Sequence, residues 1–282
     1  MTPYVAGFFV VGAISQYLGA AVGVFLFDTT DPATVAWLRA AGAGAVLLAW
    51  RRPWRRTWTP RMMFAAAAFG LVTLAMNVAF YEAIARIPLG TAVAIEFAGP
   101  VAVAAAGSRR ARDVLAVVLV AVGVYLVAGV STDVDPVGAG FAAIAAALWA
   151  GYILLGKRVA DAGAGVDSLA VGMALAATVS APVLLGIQVA AAPAVFTDPR
   201  TWVLGIGVGV LSSAIPYALD QHVLTRIGRE RFALLLALLP ATAAVIGAVV
   251  LAQRPTVSEV AGIACVMLAL AVTARAAGEP IG

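Results

Sequence analysis

Residues that build active sites and metal centres are scarce in this chain of 282 residues. It contains one cysteine, Cys265, and one histidine, His222. These counts exclude a disulfide framework, a cysteine metal cluster and a histidine-rich metal site. The sequence also has no Gly-x-Ser-x-Gly or His-Glu-x-x-His motif and no nucleotide-binding P-loop,. We therefore expect neither an enzyme nor a directly ATP-driven pump, and no cofactor or metal.

Charged residues make up only 11% of the chain, against about a quarter in soluble domains,. Hydrophobic residues make up 63%, and the mean hydropathy is +1.02. This composition predicts an all-α integral membrane protein. Most of the basic residues are arginines in short segments between apolar runs, which is typical of membrane topology signals and argues against nucleic acid as a partner,.

Windows of about twenty residues locate ten candidate membrane spans. They are residues 5–27, 32–50, 62–85, 88–107, 114–130, 136–156, 166–190, 202–222, 232–251 and 257–275. The loops after even-numbered spans and the C-terminus hold 14 lysines and arginines, whereas the odd loops hold only Arg86, Arg200 and Arg254. The positive-inside rule therefore predicts that both termini are cytoplasmic, with the protein in the plasma (inner) membrane.

Glu96 is a carboxylate in the middle of the otherwise apolar span 88–107. A charge at the centre of a span costs about 2.5 to 3.5 kcal/mol on insertion scales, so such residues usually face a protein interior or a water-filled path. This placement favours transport. The alternative is a structural ion pair with Arg39, which is central in the second span.

Charge placement also indicates an internal repeat. Two halves of five spans each must insert with opposite orientation, so the arginine bias should swap between equivalent loops. It does swap: the loop after span 2 carries five arginines against one basic residue after span 7, and the loop after span 3 carries one against three after span 8. A shift of 140 residues also aligns Pro100 with Pro240. We predict two inverted five-helix repeats, residues 1–131 and 132–282, with the substrate site between them.

Several segments resemble the EamA family of the drug/metabolite transporter superfamily. They are NVAFY at 77–81, IPLGTAVAIEFAGP at 87–100, TVAWLRAAGAG around Arg39, WAGYIL at 149–154 and SSAIPYALD at 212–220. Within that family they are similar to exporters of threonine and homoserine. The resemblance implies proton-driven efflux of small neutral amino acids across the inner membrane.

Two positions depart from that exporter pattern in the second half. Leu239 stands where the pattern has a glutamate before the proline of span 9, and Gln253-Arg254 stands where many family members have Gly-Glu. In addition, the residue 140 positions after Glu96 is Leu236. We therefore expect proton and substrate to converge on Glu96 alone.

Helical spacing places polar or aromatic stripes on spans 3, 6 and 8, while Gln16 lies mid-span in the first helix,. The predicted substrate- and proton-binding residues are Glu96, Gln16, Asn77, Tyr81, Trp149, Tyr152, Ser213 and Tyr217. The predicted structural or coupling residues are Arg39, Pro100, Pro240 and Asp220. Packing or interface roles are the alternatives for the aromatic residues, a surface role for Asp220, and capping of broken-helix carbonyls or substrate binding for Arg39.

The sequence thus predicts a secondary exporter that works by alternating access. Glu96 would bind the amine of a small neutral amino acid on the cytoplasmic side, and a proton entering from outside would neutralise Glu96 and release the substrate. A multidrug or organic-cation exporter and an uncoupled metabolite facilitator of the same fold are the alternatives. The expected partners are a small-molecule substrate, protons and the lipid bilayer.

Overall fold

The computed structural model describes residues 3–106, 111–128, 134–161, 165–217, 219, 223, 226, 232 and 235–276. Within these ranges the regular structure is helical and contains no strand. The α-helices are α1 (Pro3–Val24), α2 (Pro32–Arg51), α3 (Pro60–Ile84), α4 (Leu89–Glu96), α5 (Ala98–Ala106), α6 (Ala111–Ala128), α7 (Pro136–Asp161), α8 (Gly165–Ala191), α9 (Pro199–Gly209), α10 (Leu239–Val250) and α11 (Val257–Ala276). Short 3-10 turns lie at Pro53–Arg55 and Pro193–Thr197, and a π-helical segment follows α9 at Val210–Ala214.

Six helical segments are long and apolar enough to cross a bilayer. They are Gly7–Val24, Pro32–Arg51, Pro60–Ile84, Leu89–Ala106, Pro136–Val159 and Gly165–Ala191, and shorter apolar helices lie at Asp113–Val127, Leu239–Val250 and Val257–Thr273. Large apolar side chains also cover the outer surface: Phe64 is 77% exposed and Val249 is 76% exposed. Exposed apolar side chains on long helices are typical of a surface that contacts lipid. The chain is an all-helical membrane protein.

Aspartate, threonine and proline residues set where these helices begin. The Asp31 side chain accepts a hydrogen bond from the N–H of Ala33 at the start of α2, and the Thr59 side chain accepts one from Met62 at the start of α3. Each capping residue is followed directly by a proline, whose missing N–H costs nothing in the first turn. The predicted second and third spans therefore differ from the observed helices by only one or two residues.

The predicted fourth span, 88–107, is not one continuous helix. It consists of α4 and α5, which meet at Phe97. Pro100 has no N–H, so the carbonyl of Glu96 lacks its normal helical donor, and α4 ends at that residue,. The predicted ninth span, 232–251, shows the same feature, because a turn at residues 237–238 precedes α10 and its Pro240. Both prolines therefore follow a short interruption of the helix, of one residue at Phe97 and of two at residues 237–238.

The first half of the interrupted fourth span lies at the centre of the molecule. All eight residues of α4 are buried, and the helix packs against α7 and α10. Around it, α3 packs against α7 and α8, α2 packs against α8 and α9, and α6 packs against α11. The crossing of α3 and α8 is especially close: a Cβ atom on Gly70 would collide with the backbone of Gly172. Only glycine permits that approach of two backbones.

Candidate functional site

The helices surround an internal cavity of about 360 Å³. It extends from Leu47 in the last turns of α2 and Leu169 in the first turns of α8 to the middle of the molecule. The polar and aromatic residues in its wall are Gln16, Arg39, Thr73, Asn77, Phe97, Trp149, Tyr152, Ser212, Ser213 and Tyr217. Leucine, isoleucine, methionine and proline residues complete the described part of the wall. The cavity is therefore mainly apolar with a few polar groups, as is typical of sites for small molecules.

A smaller chamber of about 60 Å³ adjoins this cavity. Its wall is formed by Gln16, Tyr17, Ala20, Arg39, Met76, Asn77, Phe80, Glu96 and Trp149. Five of these residues also line the large cavity, so the two spaces share a boundary. The chamber has room for an ammonium group or a few water molecules but not for a whole amino acid.

Among the residues that the structure describes, Glu96 is the only carboxylate in the wall of either space. Its residue surface is 8% exposed, and its side chain makes no hydrogen bond within the described part of the chain. The alternative interpretation, an ion pair with Arg39, is not observed. The ion pairs within 4.0 Å in the described ranges join Arg51 to Asp167 and Arg86 to Glu82. A buried carboxylate without a partner is costly, and its free oxygens are open to a ligand in the chamber.

Arg39 instead contacts the π-helical segment after α9. Its Nη2 donates a hydrogen bond to the carbonyl oxygen of Ser212 at 3.1 Å, and its Nε donates one to Ser213 Oγ at 3.2 Å. Its guanidinium carbon also lies 5.8 Å from the ring centroid of Tyr81. The arginine thus joins α2 to the segment Val210–Ala214 at the edge of the cavity.

The same segment is bonded to α1. Ser15 Oγ donates a hydrogen bond to the carbonyl oxygen of Leu211 at 2.8 Å, and Ser212 Oγ donates one to the carbonyl oxygen of Gln16 at 2.9 Å. A Cβ atom on Gly19 would collide with Ser212, so the two backbones are very close here. π-Helical turns inside α-helices are frequently found at functional sites, and this one fixes the part of α1 that carries Gln16.

Aromatic rings form one wall of the site. Trp149 packs edge-to-face against Phe97 with ring centroids 4.7 Å apart, and Tyr152 stacks on Phe69 at 4.9 Å. These contacts hold the rings in place against α3 and against the junction of α4 and α5. A wall of this kind can pack against apolar groups of a ligand or against a cation.

A second buried glutamate, Glu259, escaped the sequence analysis. It is 4% exposed and accepts hydrogen bonds from Thr91 Oγ1 and from the backbone N–H of Thr256, both at 2.7 Å. Gln253 Oε1 accepts a hydrogen bond from the N–H of Leu89 at 3.0 Å. The sequence signal was present, because Thr256-Val-Ser-Glu259 is a capping box at the start of α11. These bonds fasten the beginning of α4 to the connection between α10 and α11.

The structure brings most of the predicted site residues together. Gln16, Asn77, Trp149 and Arg39 line both spaces, Glu96 lines the chamber, and Tyr152, Ser213, Tyr217 and Pro100 line the large cavity. Tyr81 and Pro240 lie in the wall of neither space, and Asp220 lies outside the described residues.

Tyr81 is enclosed between aromatic neighbours. Its ring packs edge-to-face against Phe27 and Phe80, and it has no exposed surface. Conversely, sequence reasoning missed Tyr17, Met76 and Phe80, which line the chamber. Tyr17 directly follows Gln16, but no pattern in the sequence indicated which way its ring points.

A membrane-embedded helical bundle with an internal, partly polar cavity has the architecture of a small-molecule transporter. Comparisons with known proteins agree with this class. Residues 136–275 match the EamA-like transporter family. The threonine/homoserine exporter RhtA of Salmonella typhimurium strain LT2 is 36% identical over 259 residues, which cover 89% of this chain and 84% of that protein. The Escherichia coli K12 exporter of the same name is 34% identical over the same shares of the two chains.

One protein of known crystal structure covers 98% of this chain and is covered to 98% by it, with a TM-score of 0.61 and 18% sequence identity. That likeness concerns the fold alone. The identities to the exporters are high enough to fix the family: the chain belongs to the EamA-like transporter family. The family expected from the sequence segments is confirmed, and the protein is a multi-pass membrane transporter.

Proposed function

We propose that this protein exports small neutral amino acids, such as threonine and homoserine, from the cytoplasm across the inner membrane by proton antiport. The observation that carries the proposal is a buried carboxylate, Glu96, without a protein partner in a chamber beside a cavity of about 360 Å³. The similarity to threonine/homoserine exporters over 89% of the chain supports the choice of substrate class.

The two spaces suit the two ends of an amino acid. The chamber of about 60 Å³ accepts the ammonium group next to Glu96, and the larger cavity accepts the rest of the molecule. The side-chain amides of Gln16 and Asn77 make no hydrogen bond within the described part of the chain, so their N–H groups are open to the substrate carboxylate,. Trp149 provides a flat wall for the side chain of the substrate.

Proton coupling follows from competition at one group. In the ionised form, Glu96 attracts the ammonium group of the substrate. When a proton from the outside neutralises the carboxylate, this attraction is lost and the amino acid leaves. Proton and substrate then exclude each other at Glu96, and this exclusion is the condition for antiport.

Inverted repeats at residues 1–131 and 132–282 would provide the two alternating states. The arrangement of the helices supports this pseudo-symmetry. α3 packs against α7 and α8, and its counterpart α9 packs against α1 and α2. The close backbone crossing at Gly70 and Gly172 has a counterpart at Gly209 and Gly42. The family match at 136–275 also lies within the second repeat.

The predicted orientation assigns this conformation to the inward-facing state. The large cavity reaches the end of α2 and the beginning of α8, which the arginine bias predicts to be cytoplasmic,. The opposite end is closed by the buried helix α4, fastened through Leu89 and Thr91 to Gln253 and Glu259. Export would require this fastening to open after the substrate has bound.

One observation favours an alternative substrate class. The rings of Tyr17, Phe80 and Trp149 surround the chamber that holds Glu96, and aromatic rings with a carboxylate also bind organic cations,. The small volume of the chamber favours a primary ammonium group over a bulky quaternary one. An uncoupled facilitator would use the same cavity without protonation of Glu96.

Counterflow in proteoliposomes separates these possibilities. Purified protein is reconstituted, and exchange of labelled threonine, homoserine, other amino acids, metabolites and tetraalkylammonium ions is measured at two pH values, with and without an imposed pH gradient. The proposal predicts exchange of threonine or homoserine that a proton gradient accelerates. Failure of every amino acid, with exchange of organic cations, would replace the proposal by the cation exporter. Amino-acid exchange that is insensitive to the gradient would leave a facilitator.

A further inference from the structure

Pro216 leaves a buried carbonyl without its normal helical donor. Proline has no N–H, so Pro216 can donate neither to the carbonyl oxygen of Ser212, four residues earlier, as in an α-helix, nor to that of Leu211, five residues earlier, as in a π-helix. The chain responds with a π-helical turn in which the N–H of Ile215 bonds to the carbonyl oxygen of Val210. Ser212 is 3% exposed, so water cannot readily replace the missing donor. A buried carbonyl in this position must find a side-chain donor or destabilise the fold.

Arg39 is that donor. Its Nη2 donates to the carbonyl oxygen of Ser212 at 3.1 Å, while its Nε donates to Ser213 Oγ at 3.2 Å. The crossing of α2 and α9 keeps the arginine close, because a Cβ atom on Gly209 would approach the carbonyl oxygen of Arg39 itself. Two donors of one planar guanidinium therefore hold two successive residues of the π-helical segment.

This segment in turn determines where α1 lies at the cavity. Leu211 and Ser212 are hydrogen-bonded to Ser15 and Gln16 of α1. Gln16 lines both the chamber and the large cavity, and Ser213 lines the large cavity. A displaced segment would therefore displace groups that face the transported molecule.

We infer that Arg39 is a positioning residue: it satisfies the Ser212 carbonyl that Pro216 deprives of a donor, and so holds Gln16 and Ser213 at the transport cavity. The inference requires that this cavity is the transport site, as in the proposed function, but it does not depend on which molecule is transported. It differs from a direct role, in which the guanidinium binds the substrate carboxylate.

A double-mutant cycle distinguishes the two roles. Arg39→Met removes the donor, and Pro216→Ala restores a backbone N–H that can bond to the freed carbonyl. Pro182→Ala is the matched control, because Pro182 also lies inside a helix but is exposed and lines neither space. Each variant is purified in detergent for thermal unfolding and reconstituted for counterflow. Arg39→Lys keeps a charged donor group but loses the planar fork of the guanidinium, and it is measured in the same cycle in case Arg39→Met does not fold.

The thermal measurement has a definite expected result. Arg39→Met lowers Tm by about 3 to 8 °C in the parent and in the Pro182→Ala background, but by less than half as much in the Pro216→Ala background. Arg39→Lys shows the same pattern with smaller shifts. Equal losses of Tm in all three backgrounds would overturn the inference.

The transport measurement should show the same coupling. The loss of Vmax caused by Arg39→Met becomes smaller in the Pro216→Ala background, and remains unchanged in the Pro182→Ala background. A loss of transport that is equally severe in all backgrounds, or that appears only as a raised KM, would assign Arg39 to substrate binding and reject the positioning role. If the parent protein exchanges no amino acid, the proposed function fails, while the thermal cycle still decides the inference.

Discussion

Replacing Glu96 by glutamine should abolish transport without weakening the fold. The side chain keeps its size and loses only its charge and its ability to bind a proton. Glu96 makes no hydrogen bond within the described part of the chain and is 8% exposed, so no hydrogen bond to the protein is broken. Because a buried carboxylate without a partner is costly, Tm of Glu96→Gln should equal or exceed that of the parent.

The loss of function can be estimated from the same geometry. An ammonium group about 4 Å from the carboxylate is attracted by about 4 kcal/mol at an effective dielectric constant of about 20. Desolvation of both charges reduces the net value, so we expect about 2 to 4 kcal/mol. Affinity for the amino acid should therefore fall by about 30- to 700-fold. Acceleration by a proton gradient should disappear completely, because the amide, unlike the carboxyl group, does not alternate between a protonated and an ionised form.

The assay is uptake of labelled threonine into proteoliposomes with an acidic lumen, together with thermal unfolding of the purified protein. Glu259→Gln is the matched control, since Glu259 is also buried but accepts two hydrogen bonds. This control should lose only a little stability, because the amide oxygen can accept from the N–H of Thr256 and the amide nitrogen can donate to Thr91 Oγ1, but both bonds lose the strength that the carboxylate charge gave them. Full gradient-driven transport by Glu96→Gln would refute the role of Glu96, and a large fall in its Tm would refute the conclusion that the carboxylate has no structural partner.

Three further predictions concern packing and the site wall. Gly70→Leu should prevent accumulation of folded protein in the membrane, because the new side chain meets the backbone of α8. The control Gly186→Ala should be neutral, because the space around its Cβ position is open. Both variants are quantified by fluorescence-detected size exclusion. Thr91→Val should lower Tm by about 2 to 6 °C through the loss of its hydrogen bond to the α11 carboxylate,; an unchanged Tm would contradict a fastening role. Trp149→Ala should raise KM about 5- to 30-fold in counterflow, and Trp202→Ala, which lies outside the cavity, should not,.

The helix positions could be predicted from the sequence because the bilayer leaves few choices. Backbone groups in lipid must be satisfied within the helix, so apolar runs bounded by aspartate, threonine and proline define helices with small errors. The sequence predicts the second span at residues 32–50, and the corresponding helix α2 occupies Pro32–Arg51. The break at Phe97 was less accessible, because Pro100 predicts that a donor is missing but not where the chain turns.

The candidate site was only partly predictable for a related reason. Gln16, Asn77 and Trp149 stand out as polar or aromatic residues in apolar spans, and such residues tend to face the interior. Met76 and Phe80 resemble ordinary core residues, and only the rotation of α3 against its neighbours turns them toward the chamber. Tyr81 is the reverse case, because the sequence predicts it at the site and its ring does not line the site. It shares a helical face with Asn77, but its ring fills a space between other aromatic rings.

The backbone contact between Gly70 and Gly172 divides α8 into a short part before the contact and a long part after it. Because the backbones of α3 and α8 come closest at these two glycines, the pair is the natural pivot for a tilt of α8 against α3,. At 1.5 Å per residue, the contact lies about 10 Å from the start of α8 at Gly165 and about 28 Å from its end at Ala191,. A tilt of about 10° would move the near end by about 2 Å and the far end by about 5 Å. A small displacement at the end of α8 that carries Leu169, in the cavity wall, is thereby accompanied by a displacement more than twice as large at Ala191.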